Sequence, residues 1–184
     1  MTNFSDSEND EPDPDALPDP IPDEWESWIK EYAWKLYAHA RQFCPLQHDA
    51  EDLVQAVVAE LWNSGADAST LELPFALSRI RHRAIDHLRS ESSRSRRESD
   101  WHRENHHSEE RGAEFPSDTE HDRQRVQAAL DQLPLMFREV VSLKLWSDLT
   151  FDQIASLLEI SRNTAASRYR LALEKLRPLL SPSE

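Results

Sequence analysis

Five polar residues stand close together near the end of the chain: Arg162, Asn163, Ser167, Arg168 and Arg170. Arginine presents paired donors, and asparagine a donor beside an acceptor, that match base edges, while serine and arginine also bond phosphate oxygens. At helical spacing the five share the outer side of one helix, whose inner face would be Ala165, Tyr169, Leu173 and Leu176. A second cationic set lies in residues 79–97, which hold seven arginines against Asp86 and Glu91. A merely solvated helix mixes its charge signs so that residues three or four apart can pair. Arginine in excess, with its planar fork of donors, suits a phosphate backbone instead. A third set, Glu51, Asp52, Gln55 and Glu60, occupies the polar edge of an otherwise apolar stretch.

Reaction chemistry is not among what these residues offer. Ser, His and acidic residues are plentiful, but none stands in a nucleophile elbow, a Gly-rich phosphate loop or a metal-ligand spacing. His102 and His106 are about one helical turn apart and His107 follows, without an accompanying carboxylate or thiolate framework. Cys44 is the only cysteine, so an intrachain disulfide and a Cys-based zinc site are excluded. Near the end of an apolar helical face, it reads as a buried small hydrophobe. No catalytic residue, cofactor or metal is expected.

The elements that must position the three sets are helices. Two glycines and many Ala, Leu, Glu and Arg residues point to an all-α chain. Its 184 residues suit one ordinary domain or two small ones. The net charge of −14 is segregated: residues 1–24 are acidic, proline-punctuated and without a basic residue. Such a segment buries too little surface to offset its ordering entropy and reads as a disordered, solubilising tail. A tail that competes with nucleic acid for the basic patches is the alternative. No apolar run is long enough to span a bilayer, and the N-terminus is acidic where a signal peptide is basic, so a cytoplasmic location is expected.

Periodicity predicts a first helix over 25–43, with Trp25, Trp28, Ile29, Tyr32, Leu36, Ala40 and Phe43 on one face. A second helix, 49–62, has a broad apolar sector of Leu53, Val54, Val57, Val58, Leu61 and Trp62, and Gly65 follows its end. After a polar loop over 63–74, a helix over 75–97 carries the stripe Leu77, Ile80, Ala84, Ile85 and Leu88 beneath its arginines. Residues 99–120 read as a flexible linker. Helices over 121–133 and 135–147 follow, parted by Pro134; Leu145 closes the second stripe. From Thr150 onward, Ile154, Ala155 and Leu158 give a short helix, and Ser161 reads as the N-cap of the helix that carries the five polar residues. Two short helices with a tight joint and a cationic outer face describe a helix-turn-helix.

In this order the motifs resemble a known family. Asp49-Ala-Glu-Asp-Leu-Val-Gln-Ala-Val-Val-Ala-Glu-Leu-Trp62 is similar to the helix by which bacterial sigma factors grip the clamp of RNA polymerase. Phe75 to Arg89 looks like the family's helix facing the downstream promoter element. Leu133-Pro-Leu-Met-Phe-Arg-Glu-Val-Val141 with the helix-turn-helix resembles the domain that reads the upstream element. Two such domains and little else resemble the extracytoplasmic-function (ECF) group. Five positions depart from the family's habit: Ala56 replaces an acid, Ala76 an aromatic, Glu159 the glycine of the turn, and Ala165-Ala166 a β-branched residue and a lysine.

The resemblance implies an all-α protein of two small helical domains, a region 2-like bundle over 25–98 and a region 4-like helix-turn-helix domain over 121–180. They would be joined by the flexible linker 99–120 and flanked by tails 1–24 and 181–184. It implies core RNA polymerase and promoter DNA as partners, with an anti-sigma factor as a further one. Glu51, Asp52 and Gln55 would contact polymerase; Arg79, Arg83 and Arg89 would meet the downstream duplex; loop 63–74 would receive a base flipped from the melted strand. Arg162, Asn163 and Ser167 would read upstream base edges, and Arg168 and Arg170 would hold phosphates. For Arg168 the alternative is an internal pair with a carboxylate such as Glu174. Two other readings stay open: a helix-turn-helix regulator that is not a polymerase subunit, and a polymerase-binding protein without promoter recognition.

Overall fold

The computed structural model describes residues 22–44, 46–95 and 120–180, with side chains over 22–44, 46–89 and 125–180. Expectations for the acidic tail up to residue 21, for most of the linker with His102, His106 and His107, for Arg96 and Arg97, and for residues 181–184 lie outside them, as does the Arg94 side chain. Seven helices are described: α1 Asp23–Ala40, α2 Gln47–Asn63, α3 Leu73–Ser95, α4 Glu120–Asp131, α5 Leu135–Leu145, α6 Phe151–Leu158 and α7 Arg162–Leu180. No strand occurs among the described residues.

Helix α1 starts at Asp23, two residues before the expected Trp25, because Asp23, Glu24 and Glu26 place negative charge at the positive end of the helix dipole. Trp25, Trp28 and Leu36 bury its inner face, and Trp25 stacks on Trp62 of α2 with ring centroids 5.4 Å apart. Helix α2 ends at Asn63, and two residues on Gly65 has a φ of +73°, the left-handed conformation that glycine adopts without a Cβ clash. Helix α3 begins earlier than expected, at Leu73, with Pro74 in its first turn, where a missing N–H removes no helical bond. Ala76, Leu77, Ile80 and Ala84 are buried against α1 and α2, but Leu88 is exposed.

In the C-terminal half, α5 lies centrally, packed on α7 and α6, and α4 lies on α7. Ala129, Leu130, Leu133, Val141, Ala172 and Leu176 form a local core. Thr150 caps α6 through a complete capping box: its hydroxyl accepts from the Gln153 N–H, and the Gln153 side chain accepts from the Thr150 N–H. Ser161 caps α7, its Oγ accepting from the Thr164 N–H at 3.0 Å, as the spacing predicts. Besides Leu88, three further expectations need correction. Leu173 is exposed and Ala172 takes its inner position; Leu145, at the end of α5, is exposed; Cys44 is half-buried rather than enclosed.

The two halves pack together. Helix α3 lies on α6 and α1 on α5, and one continuous apolar cluster runs from Leu36, Leu77 and Ile80 to Val140, Leu143, Leu149 and Ile154.

Candidate nucleic-acid and partner-binding faces

The outer edge of α2 carries Asp52 and Gln55, one turn apart and both exposed, while Val57 and Leu61 on the opposite side are buried. Leu53, Val54, Val58 and Trp62 are partly buried against the same core, so the broad apolar sector faces inward over most of its width. Glu51 is half-buried and accepts from Gln47 at 2.8 Å. Asp52 and Gln55 are thus the more available members of the acidic set.

On α3 the arginines are engaged by carboxylates. Arg79 and Arg83 both bind Glu60 of α2, the latter at 3.0 Å, and Arg89 lies 3.5 Å from Asp86. These are half- or fully exposed pairs, which stabilise by at most about 1 kcal/mol each and yield readily to a better anion. Arg81, absent from the sequence-based set, sits at i+4 from Leu77 and i−3 from Ala84, on the buried side. Its Nε–H donates to Glu139 Oε1 of α5 at 2.8 Å, across the boundary between the halves. Burial pushes the Glu139 carboxyl above its ordinary value even though Arg81, Arg168 and Arg138 all pull it down. Beside them His39 of α1 is fully enclosed, with no hydrogen-bond partner at either ring nitrogen. Burial first, and the charge of Arg81 second, lower its pKa to about 3. An arginine inside an apolar stripe was the signal for this cluster, since a buried guanidinium requires an acid from whatever packs on it.

Loop 64–72 is fastened to α1 by the Trp28 indole N–H, which donates to the Leu71 carbonyl at 3.0 Å. Within the loop, the Asp67 carboxylate accepts from both the N–H and the hydroxyl of Ser69, which holds its pKa below the usual carboxylate value. An open pocket of 440 Å³ lies between this loop and α1, walled by Trp28, Tyr32, Ser69, Asp23, Glu24 and Glu31.

The N-terminal turns of α7 present Arg162 and Asn163 to solvent, with Ser167 half-buried behind them and Arg170 exposed further along. Arg162 lies 3.4 Å from Asp152 of α6, both side chains largely exposed. Arg168 differs. It is half-buried at i+3 from Ala165 and i−4 from Ala172, and its charge acts on Glu139. The turn before α7 places Glu159 at φ 56° and ψ 43°, the left-handed position that the family's glycine would occupy more easily. Among the described residues no cluster of His, Cys, Asp and Glu could hold a metal, and no helix is long and apolar enough to cross a membrane.

A helical bundle with an arginine-lined α3, followed by a capped helix-turn-helix with an exposed N-terminal turn, defines a two-domain DNA-binding class. Known proteins narrow it. Sigma-70 region 2 matches residues 28–94, and sigma-70 region 4 matches residues 123–176. The ECF RNA polymerase sigma factor SigK of Mycolicibacterium vanbaalenii is 31% identical over 144 residues, covering 71% of this chain and 68% of that protein. SigK of Mycobacterium ulcerans is 28% identical over 144 residues, covering 73% of each. The sigma factor RpoE from Bartonella quintana, solved with the anti-sigma factor NepR, superposes with a TM-score of 0.66 at 20% identity, over 86% of this chain and 99% of that one. CnrH, solved with the cytosolic domain of CnrY, gives a TM-score of 0.56 at 18% identity, over 85% of this chain and 86% of that one. The chain belongs to the ECF RNA polymerase sigma factors. The free-standing regulator is thereby set aside.

Proposed function

We propose that this sigma factor docks on the polymerase clamp through the acidic edge of α2, with Asp52 and Gln55 as the principal contacts and Glu51 holding the edge in place. The observation that carries this is the division of α2: Val57 and Leu61 are buried while Asp52 and Gln55 stay exposed. Arg79, Arg83 and Arg89 of α3 meet the phosphates of the downstream element, displacing the exposed carboxylates that now hold them. Loop 63–74 and the neighbouring aromatic pocket receive the extruded base; extrusion itself costs a few kcal/mol, which polymerase binding offsets. In the upstream element, Arg162, Asn163 and Ser167 contact base edges and Arg170 holds phosphate. Arg168, half-buried with its charge acting on Glu139, reaches phosphate only by turning outward. The working units are residues 25–98 and 121–180, the site of action is the cytoplasm, and an anti-sigma factor is a natural further partner.

A second reading, a polymerase-binding protein that reads no promoter, draws on Arg162 being paired with Asp152 and on alanine at Ala166. Reconstitution with bacterial core polymerase separates the two. Co-elution with defined start sites on a genomic template library supports the sigma activity; co-elution without start sites supports the second reading.

A further inference from the structure

The pocket between α1 and loop 64–72 is lined by side chains whose protons are already spent. Its 440 Å³ suit a small planar guest, and the Trp28 and Tyr32 rings that wall it meet edge to face at 5.2 Å. The Trp28 indole N–H donates to the Leu71 carbonyl at 3.0 Å, and the Ser69 hydroxyl to Asp67 Oδ1 at 2.7 Å. The Tyr32 hydroxyl bonds the Glu31 carboxylate, which raises the Tyr32 pKa. Ser69 and Tyr32 therefore keep only oxygen lone pairs for a guest. Asp23, Glu24 and Glu31 add carboxylates, which accept and do not donate. Ser27 carries the remaining hydroxyl of the lining, which turns either way. Lys35 lies over the Tyr32 ring at 5.3 Å but is not part of the lining. The side chains of the pocket thus offer a guest acceptors almost throughout.

An extruded base is read by hydrogen bonds to its pairing edge and by stacking on rings. Adenine and cytosine bring an exocyclic amino group to that edge, and guanine an amino group beside a ring N–H. Thymine brings a single N–H between two carbonyl oxygens, which would face lone pairs. We propose that this pocket rejects thymine and takes a base with an exocyclic amino group, with Glu31 and the Tyr32 hydroxyl oxygen as the accepting pair. This rests on the reading of loop 63–74 as the receiver of the extruded base. The selecting groups sit on α1, whose aromatics the sequence presents as core packing. The same three carboxylates repel phosphates, so the base enters and the strand's backbone stays outside.

The test uses the full chain reconstituted with bacterial core polymerase, with transcript starts mapped on a template library whose melted region is randomised. With the parent, one position of the melted strand should carry thymine about tenfold less often than amino-bearing bases, the factor that one net hydrogen bond supplies. Glu31→Gln keeps the size of the side chain and gives it amide protons that a thymine carbonyl can accept. At that position alone it should shrink the bias to about twofold. Tyr32→Phe should weaken the same bias and leave other positions as they were. Glu31 is exposed and Tyr32 half-buried, so both variants should fold. Thymine favoured at the position these variants alter, or a bias that neither variant alters, overturns the proposal alone. Defined starts with no selected position in the melted strand overturn the base-capture reading and this proposal with it. Should no starts form, the full chain is titrated with fluorescein-labelled oligothymidylates carrying one central adenine, or purine without the amino group. Adenine should bind more tightly, and equal affinities overturn the proposal.

Discussion

Replacing His39 with leucine should remove a defined part of the protein's acid sensitivity. In the folded chain His39 is enclosed, unpaired and close to Arg81, and its pKa is lowered to about 3 from an ordinary value of 6.5. The folded state therefore keeps the ring neutral between pH 6.5 and 3, while the unfolded chain takes up a proton there. Where the unfolded state binds more protons, stability falls with falling pH. The contribution is complete above about pH 6.5 and is lost at about 1.4 kcal/mol per pH unit below it. Between about pH 7.5 and pH 5 the loss from this one group comes to about 2 kcal/mol. Glu139 works in the opposite sense, because its raised pKa lets the folded state accept a proton first as the pH falls. Glu139 and the surface carboxylates remain in the variant, so subtracting its pH dependence from that of the parent isolates His39. At neutral pH the variant should also gain on the order of 1 kcal/mol, since leucine leaves no ring nitrogen unpaired. Urea unfolding followed by fluorescence of the six tryptophans at both pH values measures each term. Equal losses in parent and variant would refute the reasoning and place His39 in contact with water or a hydrogen-bond partner.

Other perturbations test the frame. Thr150→Ala removes the hydroxyl that accepts from the Gln153 N–H, leaving only the backbone half of the α6 capping box, and should lower stability by about 1 kcal/mol in the same unfolding assay. Glu159→Gly relieves a left-handed residue and should raise it by up to about 1 kcal/mol, the gain being limited by the extra freedom glycine has when unfolded. Leu77→Ala, at a fully buried site, should cost about 2–5 kcal/mol, whereas Leu88→Ala, on the exposed continuation of the same stripe, should change stability by less than about 0.5 kcal/mol.

These contrasts mark what periodicity can and cannot carry. Leu77, Ile80 and Ala84 were legible because the apolar repeat of α3 is read against helices that follow and precede it closely. Leu88 fits the repeat equally well and is exposed, because a repeat does not say where the neighbouring helices stop. Leu173 failed differently. Ala172, seven residues after Ala165 and too small to stand out in the sequence, takes the buried position, and Leu173 falls outside it. The turn before α7 was legible through the resemblance, which marked Glu159 as standing where glycine is usual, and the backbone there is left-handed. What local reading could not supply was the partner of Arg81. Its position within the apolar stripe announces a buried charge, but Glu139 lies 58 residues away and meets it only because α1 and α3 pack on α5 and α6. The candidate binding residues were legible as sets of like chemistry; their present partners, Glu60 and Asp152, were not.

The measurement that bears most directly on the assignment is co-elution with bacterial core RNA polymerase, combined with mapping of transcript starts, for the parent, Asp52→Ala with Gln55→Ala, and Arg162→Ala. The parent should co-elute and yield defined starts. The α2 double variant should fold as the parent does, judged by circular dichroism, yet lose most of its polymerase binding. Arg162→Ala should bind polymerase normally and start transcripts from a less restricted set of upstream sequences. A parent that neither co-elutes nor directs starts, or an α2 double variant that binds polymerase as the parent does, would contradict the account.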